Sequence, residues 1–89
     1  MLVKLIEVFK PEGTRVHLDE VFVNPNAVMT IRKEPATPMI NEAVDLGLSP
    51  SAEFSRISIM EGSMSRSIVV VGSPNELRLK LNKRQVLKG

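Results

Sequence analysis

Residues 54–81 read FSRISIMEGSMSRSIVVVGSPNELRLKL, and they contain the clearest strand and helix patterns of the chain. The stretch begins with a strand pattern over 54–60, in which apolar and polar side chains alternate. Residues 61–63 turn the chain, and the continuous apolar run within 67–72 is typical of a strand buried on both faces. Two such runs with a short connection predict a β-hairpin.

The end of this stretch carries two conflicting patterns. The motif Ser-Pro-Asn-Glu at 73–76 supplies an N-cap serine, a proline at the first helical position and a capping-box glutamate, which together predict a helix. Leu77, Leu79 and Leu81 alternate with basic residues, which is a strand period. We favour the helix because three start signals at their correct offsets rarely coincide by chance. Leu77 and Leu81 then share one face, and Leu79 lies partly exposed or against a partner.

Further strand patterns precede the hairpin. Residues 2–9 and 14–23 are rich in apolar and β-branched side chains, and a Pro-Glu-Gly turn separates them. A slip in the alternation at Asp19-Glu20 predicts a bulge or bend. The turn at 24–26 leads into a strand over 27–33, entered through one helical turn.

The composition fits one globular domain over residues 1–89, since 43% of the residues are hydrophobic and 25% are charged. We predict a strand-dominated α+β fold, in which about five strands form a small antiparallel sheet or partly open barrel with one C-terminal helix. Three Phe without Tyr or Trp leave the core to aliphatic side chains and disfavour a base-stacking surface. The absence of Cys excludes disulfides and favours a cytoplasmic location.

Residues 35–52 form a long connection with three prolines, in which no strand fits. One short helix fits inside it, with Asn41 as N-cap and Gly47 at its end. Connections of this length are uncommon unless they are functional or mobile, so the segment is a candidate partner-binding loop. A tolerated surface insertion is the alternative. The candidate partner contacts are Pro38, Met39, Ile40, Val44, Leu46, Leu48 and Leu79.

The charge distribution supplies a second candidate. The net charge is only +2, but no acidic residue follows Glu76. Residues 83–89 form a basic tail. A solvated helix face with cations near its C-terminus is the alternative interpretation. The candidate nucleic-acid contacts are Arg78, Lys80, Lys83 and Arg84.

The residues that carry catalytic and metal chemistry are sparse. His17 is the single histidine, and its place in an alternating strand predicts a solvated side chain. Asp19 and Glu20 point to opposite faces of a strand, so they do not form an acid–base pair. Without Cys, a zinc ligand set or a phosphate-binding glycine motif, we expect no catalytic residues, no metal and no cofactor. No apolar run approaches the ~20 residues of a membrane span, so we expect no membrane partner.

Two parts of the chain resemble the FlbD-type family of small flagellar and swarming-motility proteins. The segment Val21-Phe22-Val23-Asn24-Pro25, followed by Val28 and Ile31, is similar to the core motif of that family. A glycine turn, a Val-rich strand and a Ser-Pro-Asn-Glu helix start follow in the same order. The resemblance covers roughly residues 14–34 and 54–82.

This resemblance implies a short cytoplasmic chain of strands followed by one helix. It also implies a small accessory or regulatory module, and it supplies no catalytic residues. Relative to the family, residues 35–52 are an insertion. The N-terminal strand and the basic tail are not clearly shared with it.

Three functions follow as hypotheses. The first is a non-enzymatic protein-interaction module, a regulatory or accessory factor that binds another protein or forms a homodimer, because a small sheet has edges that invite pairing. The second is a nucleic-acid-binding protein that uses the basic C-terminal segment. The third is a structural subunit or a virus-encoded accessory protein, which the size of the chain permits.

Overall fold

A computed structural model describes residues 1–35, 37–48 and 51–88, with side chains for all of these except 38, 39 and 83–88. The described residues confirm the predicted strand-dominated α+β class with a C-terminal helix. In chain order the elements are β1 (Val3–Phe9), β2 (His17–Val23), a 3-10 turn (Pro25–Ala27), β3 (Val28–Lys33), α1 (Pro38–Val44), β4 (Phe54–Glu61), β5 (Met64–Val71) and α2 (Pro74–Lys88).

The five strands form one open antiparallel sheet with the order β2-β1-β5-β4-β3. Strands β2 and β3 are therefore its two edges. Strand β1 pairs with β2 along its whole length, but its register with β5 comprises only Glu7 and Val8. The rest of β1 leaves β5, and the sheet curls. As a result Val23, at the end of β2, packs in the same apolar cluster as Ile59 of β4.

The concave face of the curled sheet holds the first core, which α2 closes. Leu77 and Leu81 are 2% and 7% exposed, whereas Leu79 between them is 60% exposed. This confirms the helix and the apolar face that its spacing predicts. The buried members of this cluster are Leu5, Val23, Ile57, Ile59, Ile68, Val70 and Leu77.

The opposite face is covered at one end, where α1 packs on it. The buried members of this second cluster are Val8, Val16, Ile40, Ala43, Phe54 and Val69. Because α2 covers one face of β5 and α1 the other, all three residues of Ile68–Val70 are buried. The continuous apolar run in the sequence thus has the predicted cause, burial on both sides.

The start of α2 is a complete capping box. The Ser73 hydroxyl accepts a hydrogen bond from the backbone N–H of Glu76 at 3.1 Å, and the Glu76 carboxylate accepts one from the backbone N–H of Ser73 at 3.2 Å. These two bonds satisfy N–H groups that have no partner within the helix. The helix also continues through the segment predicted as a basic tail, since its backbone extends to Lys88.

The helix predicted within 35–52 exists, but its start is four residues earlier than expected. Thr37 is the N-cap, and its Oγ1 accepts a hydrogen bond from the backbone N–H of Ile40 at 3.3 Å. Asn41, the predicted N-cap, lies inside the helix. Pro38 occupies the first turn, where its missing N–H has no consequence. Gly47, with φ of 109°, follows the helix as predicted.

The bulge predicted at Asp19-Glu20 is wrong, because β2 pairs with β1 without a shift in register. The irregularity lies instead in β3, between Val28 and Thr30. The slip in the sequence pattern reflects a change of the covered face along β2. At one end Leu18 packs against the α1 cluster, whereas at the other end Val23 points to the opposite face and into the first core.

Removing the cap should weaken α2 and the core that it closes. We expect Ser73→Ala to lower the free energy of unfolding by about 1 kcal/mol, because it leaves the N–H of Glu76 without its partner. Urea denaturation followed by circular dichroism measures this change. Asn75→Ala, an exposed neighbour outside the capping box, serves as the control, and equal stability of the two variants would contradict the role of the cap.

Candidate partner-binding site

A groove opens where the curled end of the β1–β2 pair approaches the β4–β5 hairpin. We call it the hairpin groove. Its cavity has a volume of about 260 Å³. Leu2, Phe22 and Met60 form its rim, and Val23 and Ile59 form its floor. These residues come from three separate parts of the chain, so only the curl of the sheet brings them together.

The rim of the hairpin groove is apolar and exposed. Leu2 and Phe22 are each 58% exposed and Met60 is 42% exposed, while the floor residues are buried. Single exposed apolar side chains are normal on protein surfaces. Three that converge over a buried apolar floor are typical of an interaction site.

Phe22 is exposed because helix α1 does not reach the end of β2 at which it lies. It lies opposite Lys4 on the face that α1 covers only at its far end. Glu20 lies on the same face and pairs with Lys4 at 3.2 Å. An aromatic residue therefore stands among charged neighbours instead of in a core.

The polar edge of the groove carries both signs of charge. Glu61 and Arg66 form an ion pair across the end of the β4–β5 hairpin, and both side chains line the cavity. A polar rim around an apolar centre is the usual composition of a protein–protein interface. The arrangement suits an apolar side chain of another protein better than an ionic ligand.

A second cleft lies on the other side of the 3-10 turn, between β3 and α2. Its volume is about 270 Å³. Met29, which is 48% exposed, and Thr30 line it from β3, and Arg78 and Leu81 line it from α2. Arg78, one of the predicted nucleic-acid contacts, therefore lines this cleft.

The predicted partner contacts differ in their exposure to solvent. Ile40 is buried in the second core, and Val44 and Leu48 are half-buried against it. Leu46 and Leu79 are exposed, but neither lines the hairpin groove. The side chains of Pro38 and Met39 lie outside the described residues.

The helix within 35–52 is held to the body of the protein by Glu42. Its carboxylate accepts a hydrogen bond from the backbone N–H of Val16 and lies 3.3 Å from the Nζ of Lys10. The hydrogen bond from Val16 and then the contact with Lys10 lower the pKa of Glu42 below its ordinary value. The segment therefore contributes to the folded core, in addition to any role as a surface.

Two of the predicted nucleic-acid contacts, Arg78 and Lys80, do not share one face of α2. Arg78 and Lys80 are both exposed, but positions two apart on a helix differ by about 200° in direction. Neither forms an ion pair with a described residue, and the same holds for Arg32 and Lys33 of β3. The side chains of Lys83 and Arg84 lie outside the described residues.

The remaining features of the described residues concern His17, metal ligands and helices of membrane-spanning length. His17 is exposed and stacks on Phe9 with 5.5 Å between ring centroids. Within 1–35, 37–48 and 51–88, no group of three His, Asp or Glu residues is placed to hold a metal ion. No helix in these ranges is long and apolar enough to cross a membrane.

The rim residues of the hairpin groove were not among the sequence-predicted contacts. One signal was present, because Phe22 stands on the same side of its strand as Glu20, where an outward-facing polar residue is usual. Met60 shares a strand face with Arg56 in the same way. Their convergence has no signal in the sequence, since it depends on the curl of the sheet.

Comparison with known proteins yields no relative from which a site could be transferred. No protein-family model, curated protein or solved structure matches the chain. The resemblance to FlbD-type proteins stays a prediction.

The anchor of α1 should make stability depend on pH. The lowered pKa of Glu42 means that its stabilising contribution is present above the ordinary carboxyl value of 4.5 and is lost as the pH falls through the folded-state pKa. We expect Glu42→Gln to lower the denaturation midpoint at pH 7 and to have a smaller effect at pH 3. Urea titrations of both proteins at the two pH values measure this. Glu12→Gln, an exposed carboxylate in a turn, is the control, and an equal loss at both pH values would contradict the ionic origin.

Proposed function

We propose that this protein is a non-enzymatic protein-interaction module, a small regulatory or accessory factor that binds a short apolar segment of another protein in the hairpin groove. The observation that carries the proposal is the convergence of Leu2, Phe22 and Met60, all exposed, over a buried apolar floor. A cytoplasmic location is part of the proposal, supported by the absence of Cys from the sequence.

The rim residues have the chemistry of binding anchors. Burial of apolar surface stabilises a complex by roughly 25 cal/mol per Å². Aromatic residues and methionine are enriched in protein interfaces relative to the rest of the surface. The flexible side chain of Met60 adapts to partners of different shape. An apolar segment held at this groove would remove Phe22 and Met60 from water together.

The role of an accessory factor has two supports. The resemblance to FlbD-type proteins implies a small module without catalytic residues. The groove is also shallow and open, with a volume of about 260 Å³, which suits one or two side chains of a protein segment. The ion pair of Glu61 and Arg66 at its edge supplies polar contacts for the backbone of that segment.

Selection from a random peptide library tests the groove directly. We expect the selected peptides to share large apolar anchors. The double variant F22S/M60S should bind them at least tenfold more weakly, because each lost anchor costs ~1–2 kcal/mol and 1.4 kcal/mol is tenfold in affinity. Isothermal titration with a selected peptide measures the loss.

The control for this test is L46S/L79S, which replaces two exposed apolar residues outside the groove. This variant should bind the peptides like the wild type. Peptides that bind the groove variant as tightly as the wild type would contradict the proposal, and so would peptides that depend on Leu46 and Leu79. Circular dichroism of each variant verifies that the fold is retained.

A second candidate function is nucleic-acid binding. The observation that favours it is the group of exposed cations without an ion pair in the described residues, which includes Arg78 and Lys80 on α2 and Arg32 and Lys33 on β3. Unpaired cations are available to phosphates, and the resulting binding is strongly salt-dependent.

Binding of a fluorescent 20-nucleotide single strand at two salt concentrations tests this candidate. If the cations contact phosphates, affinity should fall steeply between about 50 and 200 mM salt. The variant R78E/K80E should reduce both the affinity and its salt dependence, and E12K/E53K, which adds cations elsewhere, is the control. Absence of binding at low salt would remove this function.

A further inference from the structure

The two edges of the sheet carry opposite charges. Strand β2 contains Asp19 and Glu20 and no lysine or arginine, whereas β3 contains Arg32 and Lys33 and no acidic residue. All four side chains are exposed. Neither edge has a further strand partner among the described residues.

Each edge also contains a pair of like charges directly opposite each other. Asp19 of β2 lies across from Glu7 of β1, and Arg32 of β3 lies across from Arg56 of β4. Like charges in this position destabilise a sheet, whereas opposite charges stabilise it. A neighbouring strand of opposite charge would therefore stabilise either edge.

The contacts within the chain compensate these charges only in part. The Arg56 guanidinium donates two hydrogen bonds to the Glu34 carboxylate, each at 3.0 Å, so Glu34 is occupied by Arg56 and not by Arg32. On the other edge Glu20 pairs with Lys4. Asp19 and Arg32 form no ion pair with any described residue.

We propose that copies of this chain associate head to tail, with β3 of one copy pairing antiparallel with β2 of the next. The occupant of each edge is thus a second copy. This assembly uses the outer backbone edges of β2 and β3 and goes beyond partner binding in the hairpin groove. It gives a mechanism to the structural-subunit hypothesis that the size of the chain permits.

The geometry of the sheet matches this pairing. Residues opposite each other in neighbouring strands point to the same side, and antiparallel pairing of β3 with β2 turns the next copy over. Arg32 and Asp19 point to different faces within one copy, so the turn brings them to the same side. A register that places Arg32 beside Asp19 of the next copy puts Lys33 diagonal to its Glu20.

In this register four charged side chains lie in one row across the junction. Arg56 and Arg32 of one copy continue into Asp19 and Glu7 of the next copy on the same side of the combined sheet. Opposite charges at the junction compensate both like-charged pairs at once. Cross-strand neighbours at this spacing interact directly.

The same charges disfavour symmetric pairing. Two β2 edges would bring acidic residues together, and two β3 edges would bring basic residues together. Charged residues on an edge strand normally prevent such contacts. Here the charges allow β2 to pair with β3 and disfavour pairing of two identical edges. A contact between two different surfaces produces rings or open chains rather than closed dimers.

Sedimentation velocity over a range of protein concentrations tests the proposal. The wild type should form species larger than a dimer at low salt, and added salt should reduce them because exposed charges are screened. D19K/E20K makes both edges basic, and R32E/K33E makes both acidic. Each variant alone should associate at least tenfold more weakly than the wild type.

The deciding measurement is an equimolar mixture of these two variants. The basic-edged variant and the acidic-edged variant should associate with each other, because the mixture restores opposite charges at the junction. E12K/E53K has the same change in charge as D19K/E20K but lies outside both edge strands, and it should associate like the wild type. Met60→Ser, which alters the hairpin groove on an interior strand, should also leave association unchanged.

Four outcomes would overturn the proposal. The first is a wild type that stays monomeric at every concentration and salt level. The second is association that stops at a dimer, and the third is a mixture of the variants that does not associate. Loss of association in Met60→Ser with intact edges would assign self-association to the groove and also overturn the edge pairing. The first three outcomes leave peptide binding in the groove untouched, because that binding is measured separately.

Discussion

The central constraint on this fold is the burial of the C-terminal half of β5 on both faces. Ile68 to Val70 are all buried, so apolar cover is needed on each side of the sheet. Helix α2 supplies it on the concave face and α1 on the other. Without either helix, part of this run would face water. This requirement explains why a segment that interrupts the order of strands contains a helix that packs into the core.

The two helices cover unequal parts of the sheet, and this difference determines which apolar residues are exposed. Helix α1 has seven residues and is therefore only about 10 Å long. It shields the end of the sheet near Val8 and Phe54 and leaves the other end open. Phe22 and Met60 stand at that open end, where the sheet curls over its own hairpin. The candidate binding groove is thus a consequence of a short helix on a curled sheet.

Local signals predicted the elements that depend on neighbours in the sequence. The capping box at Ser73 and Glu76 and the spacing of Leu77 and Leu81 were sufficient for α2, because their partners lie within one or two turns. The start of α1 was missed because Thr37 and Asn41 are both acceptable caps by residue type. Packing of Ile40 and Ala43 against the sheet selects the longer helix.

One small antiparallel domain with an apolar central hairpin and a capped C-terminal helix is predictable from the residues alone, since alternation, turn residues and caps act over short distances. Which face of each strand is covered depends on tertiary contacts. The slip in the alternation at Asp19-Glu20 therefore marks the point where the covered face of β2 changes, and β2 has no bulge there. The tertiary structure also decided the order of the strands, which places acidic β2 and basic β3 at opposite edges. These features depend on contacts between distant residues, for which a single sequence carries no local signal.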